Sequence, residues 1–419
     1  MKKVRCCNAI RRLTMIRLTS KFQSAGMPSQ PLRPASPRRK KHHPHPRLNA
    51  KSGRLDSRSP DRDTAAAAAP AARGRDTAMR RWARWLLAPV HLLALAGQAK
   101  SFEANPLLGS SRLNRLGLHL ARRRLAARLG ARRRARLAAL LPVAERAAFD
   151  RDGYLAIPDF LPPAEFAALR AEILACRAPA REFQDGATLT RLIPLDGRAL
   201  RHLPATRAAL LGPRYLGLHA YAGSHRQRPH LLVQSVFSGV RDAPPDVQTA
   251  WHSDTFHPTV KSWLFLTEVA EDAAGFTYVP GSHRPTRRHL AWERRASRTA
   301  ATAPDAMTRQ GSLRVEEAVL ARLGYPPPRK LAVAPNTLVI ADTSGIHRRG
   351  IAAGTACRIA IWGYARGNPF WPWPTPPLPM PGFALRGFWA VQDAVARLTR
   401  RRGGWRWVGE RTPDAPPAL

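Results

Sequence analysis

With 419 residues, 69 Lys and Arg against 28 Asp and Glu, and 44% hydrophobic residues, the chain is strongly basic (formal charge +41) yet apolar enough to fill a core. No apolar run reaches the roughly 18 residues that a membrane-crossing helix needs, and Cys6, Cys7, Cys176 and Cys357 form neither a CxxC pair nor a disulfide framework, which suits a reducing compartment. Nearly two thirds of the charge excess lies in the first 150 residues; it fits an anionic partner, nucleic acid or membrane, and equally an Arg- and Ala-rich solvated surface, because charge governs association and not fold.

Residues 1–78 read as a disordered, basic, low-complexity segment with much Pro, Arg and Lys and few large apolar residues. Met79 is an alternative start. Arg11-Arg12 is followed by no hydrophobic region, which excludes twin-arginine export. Residues 79–145 read as a basic helical region. In 79–100 a short apolar run is broken by Pro89 and His91. Three readings stay open there: a helix packed on the rest of the protein, an export signal, or an interfacial helix. The last would set Trp82 and Trp85 at a membrane surface with Arg80, Arg81 and Arg84 toward anionic lipid. The stretch 112–141 sets Leu residues among clustered Arg, with Gly130 as a break.

Residues 146–370 read as a mainly β domain. A short strand is expected at 154–157 and a helix at 164–176, with Pro at its start and Glu165 in its first turn. Strands follow at 188–195, at 215–222 (YLGLHAYA), at 230–239 and at 262–269. Residues 287–328 form an insertion with a helix over 314–323. Two strands flank Pro335-Asn336, and CRIAIWGYAR closes the barrel. Residues 371–419 read as a Pro- and Trp-rich loop followed by a helix over 384–407.

The chemistry concentrates in Trp251-His252-Ser253-Asp254. Side chains two apart on a strand share a face, so His252 and Asp254 converge while Ser253 points away. His347 supplies a third ligand 93 positions after Asp254. Two imidazoles and a carboxylate leave metal positions open, the arrangement that suits Fe(II) oxygenase chemistry. Arg358 follows His347 by eleven residues and offers a planar two-pronged donor for the far carboxylate of a co-substrate such as 2-oxoglutarate.

With WHSDTFHP (251–258), the VPGSH run (279–283), ADTSGIHRRG (341–350), Arg358 and the opening DGYLAIPDFLPPAEF (152–166), the chain resembles the phytanoyl-CoA dioxygenase family of Fe(II)/2-oxoglutarate oxygenases. The resemblance implies a double-stranded β-helix (jelly-roll, cupin-like) core with flanking helices. It implies Fe(II) on His252, Asp254 and His347, with 2-oxoglutarate and O2 as co-substrates. It also implies Arg358 and Gln234 as co-substrate contacts, and His283 as a structural residue. Lys261 and Trp263 are pocket candidates. Some members carry a small hydroxyl residue where Arg349 stands here, so Arg349 is a pocket residue that would meet an anionic substrate. A carboxylate at Asp254 favours hydroxylation over halogenation. The expected activity is hydroxylation of a small or lipid-like molecule in the cytoplasm, with peripheral contact to anionic membrane and no nucleic-acid partner. The competing reading is a basic membrane- or nucleic-acid-binding protein with a catalytically silent barrel.

Overall fold

The computed structural model describes residues 88–376 and 404–418, together with Gly387, Ala390 and Val391. The expectations for 1–78, for Trp82 and Trp85, and for most of the helix over 384–407 lie outside the described residues. Helices α1 (Ala88–Leu95), α2 (Ser111–Leu116), α3 (Leu118–Arg136) and α4 (Val143–Asp152) precede β1 (Tyr154–Ile157). Next come α5 (Pro163–Ala175), β2 (Ala178–Asp185), β3 (Thr188–Pro194), α6 (Pro204–Leu211), α7 (Pro213–Gly223) and β4 (His230–Ser238). The rest is β5 (Val260–Phe265), β6 (Phe276–Tyr278), α8 (Arg287–Thr299), β7 (Arg329–Lys330), β8 (Leu338–Asp342), β9 (His347–Arg349), β10 (Ala356–Ala365) and β11 (Arg406–Arg411).

The strands form two antiparallel sheets, ordered β1-β8-β5-β10-β4-β3-β2-β11 and β7-β6-β9. Strand periodicity explains how the large sheet is covered on both sides. Ile359 and Ile361 of β10, with Val233, Leu264 and Ile340 of its neighbours, pack into a core with the helices. Ala360, Trp362 and Tyr364, with Trp263, Phe265 and Val339, point the other way and meet Phe276 and Tyr278 of the small sheet. The space between the sheets is therefore aromatic, the double-stranded β-helix arrangement with flanking helices.

Several expectations are corrected. The stretch 215–222 is not a strand: it lies in α7, which starts with Pro213 at its first turn. Tyr215 and every residue from Gly217 to Gly223 are buried, so the helix carries no polar face and its apolar run looks like a core strand. Gly363 lets α7 seat on β10, since a Cβ there would lie 2.4 Å from the Tyr215 hydroxyl and 2.6 Å from that of Ser262. The CRIAIWGYAR stretch forms β10, as expected of a strand, and runs between β5 and β4 in the middle of the sheet. The insertion's main helix is α8, with only Glu317–Leu320 helical in the stretch expected at 314–323. The end of the expected C-terminal helix is strand: β11 pairs with β2 from Arg406 onward.

The arginines of α3 act as connectors. Arg122 donates to the carbonyls of Leu95, Gly97 and Ala99 and stacks 4.2 Å over Phe256. Arg133, fully buried, binds Ser224 and the carbonyls of Pro369 and Trp371. Arg134 pairs with Asp342 at 2.6 Å. At the other end, the buried Arg191, paired with Glu182 at 2.6 Å, donates to the carbonyls of Thr412, Pro413, Ala415 and Pro416 and clamps the C-terminal segment. Among the described residues no helix is long and apolar enough to cross a membrane.

Candidate active site

The segment 251–254 extends the small sheet. His252 and His347 exchange both backbone hydrogen bonds, at 3.0 and 2.9 Å, so their side chains stand side by side on one face with ring centroids 4.4 Å apart. The Asp254 N–H donates to the Thr343 carbonyl, which turns Asp254 onto the same site. One ligand atom from each of His252, Asp254 and His347 lies within 4.8 Å of the others, and all three residues are buried.

The protonation pattern follows from neighbours. Nδ1 of His252 donates to the Ala250 carbonyl at 2.7 Å and Nδ1 of His347 to the Gly345 carbonyl at 3.0 Å. Each Nε2 is then left with a free lone pair, the form a metal requires. Burial holds both imidazoles neutral, His252 well below the ordinary histidine range and His347 down to about 4. Burial would raise the Asp254 carboxyl. The Lys261 ammonium, 2.7 Å from Oδ2, outweighs it and holds the carboxyl below the ordinary range. Two neutral imidazoles, one ionised carboxylate and a buried, unpartnered His252 Nε2 are a donor set that fits a divalent iron.

A cavity of about 90 Å³ opens onto the histidines between aromatic walls, Phe183, Trp263, Phe276, Trp362 and Trp405. Arg358 reaches it from β10, opposite Val236 of β4. Burial and the neighbouring Arg349 bring its guanidinium down to about 9, still charged at neutral pH, and among the described residues no hydrogen-bond partner occupies it. Gln234 also lines the cavity and accepts from the Trp263 indole at 3.3 Å. Arg349 lines it too, but its guanidinium is engaged by Asp246 at 2.7 Å. His283 lies apart from the three ligands, packed on Phe149 at 6.1 Å.

Other site residues escaped the sequence reading. Lys100 donates to the Asp254 carbonyl at 2.6 Å, with burial and then Arg366 bringing its ammonium down to about 7. Phe183 and Trp405, ring centroids 5.6 Å apart, form one cavity wall. Lys100 and Trp405 sit 154 residues before and 151 after Asp254, and no local pattern links such positions.

Residues 149–319 match the family model for phytanoyl-CoA dioxygenase (PhyH). The match spans 171 of the 419 residues. The match covers His252 and Asp254 and ends before His347 and Arg358, which the fold brings to the same place. The matched family works with iron(II), 2-oxoglutarate and O2 in oxygenase-type chemistry. Among solved structures, the non-heme alpha ketoglutarate dependent epimerase SnoN from nogalamycin biosynthesis is similar at 20% identity, over 55% of this chain and 84% of that chain, with a TM-score of 0.36. HygX from Streptomyces hygroscopicus with nickel and 2-oxoglutarate bound is similar at 20% identity, over 54% and 87%, with a TM-score of 0.33. EctD from S. alaskensis with bound Fe is similar at 16% identity, over 54% and 77%, with a TM-score of 0.33. No curated protein matches the chain.

Proposed function

We propose that this chain is an Fe(II)- and 2-oxoglutarate-dependent hydroxylase of the phytanoyl-CoA dioxygenase family, acting on a small or lipid-like molecule. The observation that carries the proposal is the buried convergence of His252, Asp254 and His347, with both Nδ1 atoms held by backbone carbonyls. These three residues would hold the metal, and the protein spends no proton release on it because the imidazoles are already neutral. Iron with 2-oxoglutarate and O2, when bound, supplies the oxidation that converts a substrate C–H to C–OH with release of succinate and CO2.

The chain's own residues bind, orient and exclude water. Arg358, charged and without a partner among the described residues, receives the far carboxylate of the co-substrate through its two-pronged face. Gln234 lies on the adjacent strand, its amide oriented by the Trp263 indole, and contacts the same molecule. The aromatic walls take the apolar body of the substrate. The Asp254 carboxylate leaves no ligand position for halide, which favours hydroxylation.

The test is anaerobic Fe(II) titration of the full chain, followed by 2-oxoglutarate and visible spectroscopy. A weak charge-transfer band that disappears in Arg358→Ala and His347→Ala supports the assignment, and succinate release then screens substrates. A folded protein that binds no iron and gives no band refutes it and revives the silent-barrel reading. A second proposal is peripheral membrane contact from the cytoplasmic side. Leu92, Leu93, Trp371 and Trp373 are exposed, and Trp373 stacks with Arg136 at 4.0 Å. Co-sedimentation with phosphatidylserine vesicles but not phosphatidylcholine vesicles is the expected result.

A further inference from the structure

The ladder that places the histidines places a third side chain with them. On the far side of His252 from His347 runs the segment 313–315. Ser253 N–H donates to the Leu313 carbonyl at 3.2 Å and Val315 N–H to the Trp251 carbonyl at 2.9 Å. His252 and Arg314 are thus directly opposed as an antiparallel pair that shares no backbone hydrogen bond of its own. In such pairs the side chains lie on the same face and come closest, with Cβ atoms about 5 Å apart. Arg314, His252 and His347 therefore stand in a row on the face that carries the metal ligands.

The Arg314 side chain has no partner to match that position. Nη1 and Nη2 are both buried, and neither finds a hydrogen-bond acceptor among the described residues. The carboxylates around it, Asp305, Asp254, Asp246 and Asp185, are committed elsewhere. Asp305 caps a short helix at Thr308, Asp246 binds Arg349, Asp185 accepts from Val247 N–H, and Asp254 sits beside Lys261. A buried guanidinium with two open donors is costly unless an anion meets it. Among the described residues the site thus carries two guanidinium groups without protein partners, Arg358 and Arg314, and a dicarboxylate co-substrate that chelates iron through one end has only one free carboxylate to offer.

We propose that Arg314 anchors an oxyanion of the substrate itself, a carboxylate or phosphate group, beside His252. This rests on the hydroxylase reading above and narrows it to acidic substrates. A guanidinium presents two parallel N–H donors to such a group, and a substrate held there lies along the row of ligands with its body in the aromatic cavity.

The experiment uses the full chain without iron and reads thermal unfolding with inorganic phosphate or acetate as the probe, at constant ionic strength. A ligand that binds only the native state raises the melting temperature according to its affinity. The wild type and Arg358→Gln should both be stabilised by the probes. Arg314→Gln should bind them about tenfold more weakly or worse, with Arg314→Lys intermediate because one ammonium replaces the fork. Should Arg314→Gln fail to fold, Arg314→Lys alone carries the comparison. Equal stabilisation of wild type and both Arg314 variants overturns the proposal. So does loss of 2-oxoglutarate binding in Arg314→Gln to the extent seen in Arg358→Gln, which would assign the slot to the co-substrate. If wild type binds neither iron nor 2-oxoglutarate while the probe effect still depends on Arg314, the hydroxylase reading fails and the oxyanion site stands.

Discussion

Replacing Arg134 by Met tests whether the basic N-terminal helix is a structural clamp. Arg134 Nη2 lies 2.6 Å from Asp342 Oδ2, with side-chain exposures of 13% and 1%. The same guanidinium donates to the Tyr221 and Ala222 carbonyls. Burial would raise the Asp342 carboxyl, and the Arg134 guanidinium outweighs it and keeps it ionised. Losing one partner of a buried pair strands the other charge and costs about 3–5 kcal/mol; the slight exposure of Arg134 places the expected loss near the lower end, about 3 kcal/mol. Adding Asp342→Asn should recover about half of that loss, because Oδ1 still accepts from Thr259 and Ser344 while the stranded charge is gone. Urea unfolding of the two single variants and the double gives the coupling. The effect should reach the site: the Asp342 carbonyl accepts from the Tyr278 hydroxyl, and the next carbonyl, of Thr343, holds the Asp254 N–H. Arg134→Met should therefore also weaken iron binding. A loss below about 1 kcal/mol, or strictly additive variants, would refute the clamp.

Three further outcomes are expected. Burial holds His219 down to about 3, His225 (burial, then Arg133) down to about 3 and His283 down to about 4. Unfolded imidazoles titrate near ~6.5, so stability is full above that pH and falls as pH drops from there toward 4, by about 1.4 kcal/mol per pH unit for each histidine; urea midpoints that stay flat from pH 8 to 5 would contradict this. Lys261→Met removes the ammonium beside Asp254 that a metal cation must displace or tolerate. Co(II) should bind about tenfold tighter, and unchanged or weaker binding in the titration would show that Lys261 aids the metal. Gly363→Ala drives a methyl into Tyr215 and Ser262 and should cost about 1–3 kcal/mol by chemical denaturation; a neutral change would mean that α7 shifts freely on β10.

What could be read from the sequence was whatever repeats at a short period or sits within one segment. β1, β3 and β4 fall where strands are expected, and the His-x-Asp spacing implies a shared face. α7 was misread because it is buried all round, which erases the 3.6-residue signal. α8 was missed for the opposite reason. Its buried stripe is polar, His289, Glu293 and Ser297, and Glu293 meets Arg123 at 3.1 Å and His289 at 3.4 Å. Its exposed arginines keep a helical period, Arg287, Arg288, Arg294, Arg295 and Arg298 on one face, but the stripe they leave to be buried is polar and does not read as a core face. Arg314 was absorbed into an expected helix, although the backbone there runs extended beside His252.

The same contacts bear on where the catalytic unit begins and ends. A boundary near 145 and another near 370 follow the change in composition, yet the site draws on both sides of each. Lys100 braces the Asp254 carbonyl, and Arg133 ties Ser224 to the carbonyls of Pro369 and Trp371. Trp405 walls the cavity, and Arg191 and Ser235 fasten the segment that follows it. A fragment limited to 146–370 would leave Arg191 and Glu182 buried without the backbone they bind, and Asp342 without Arg134. Such unpaired buried charge is among the most destabilising changes a core can suffer. The basic character of α3 is thus in large part internal: Arg122, Arg133 and Arg134 spend their donors on backbone carbonyls and on Asp342. The net charge of the region overstates what it presents to a membrane or any other partner.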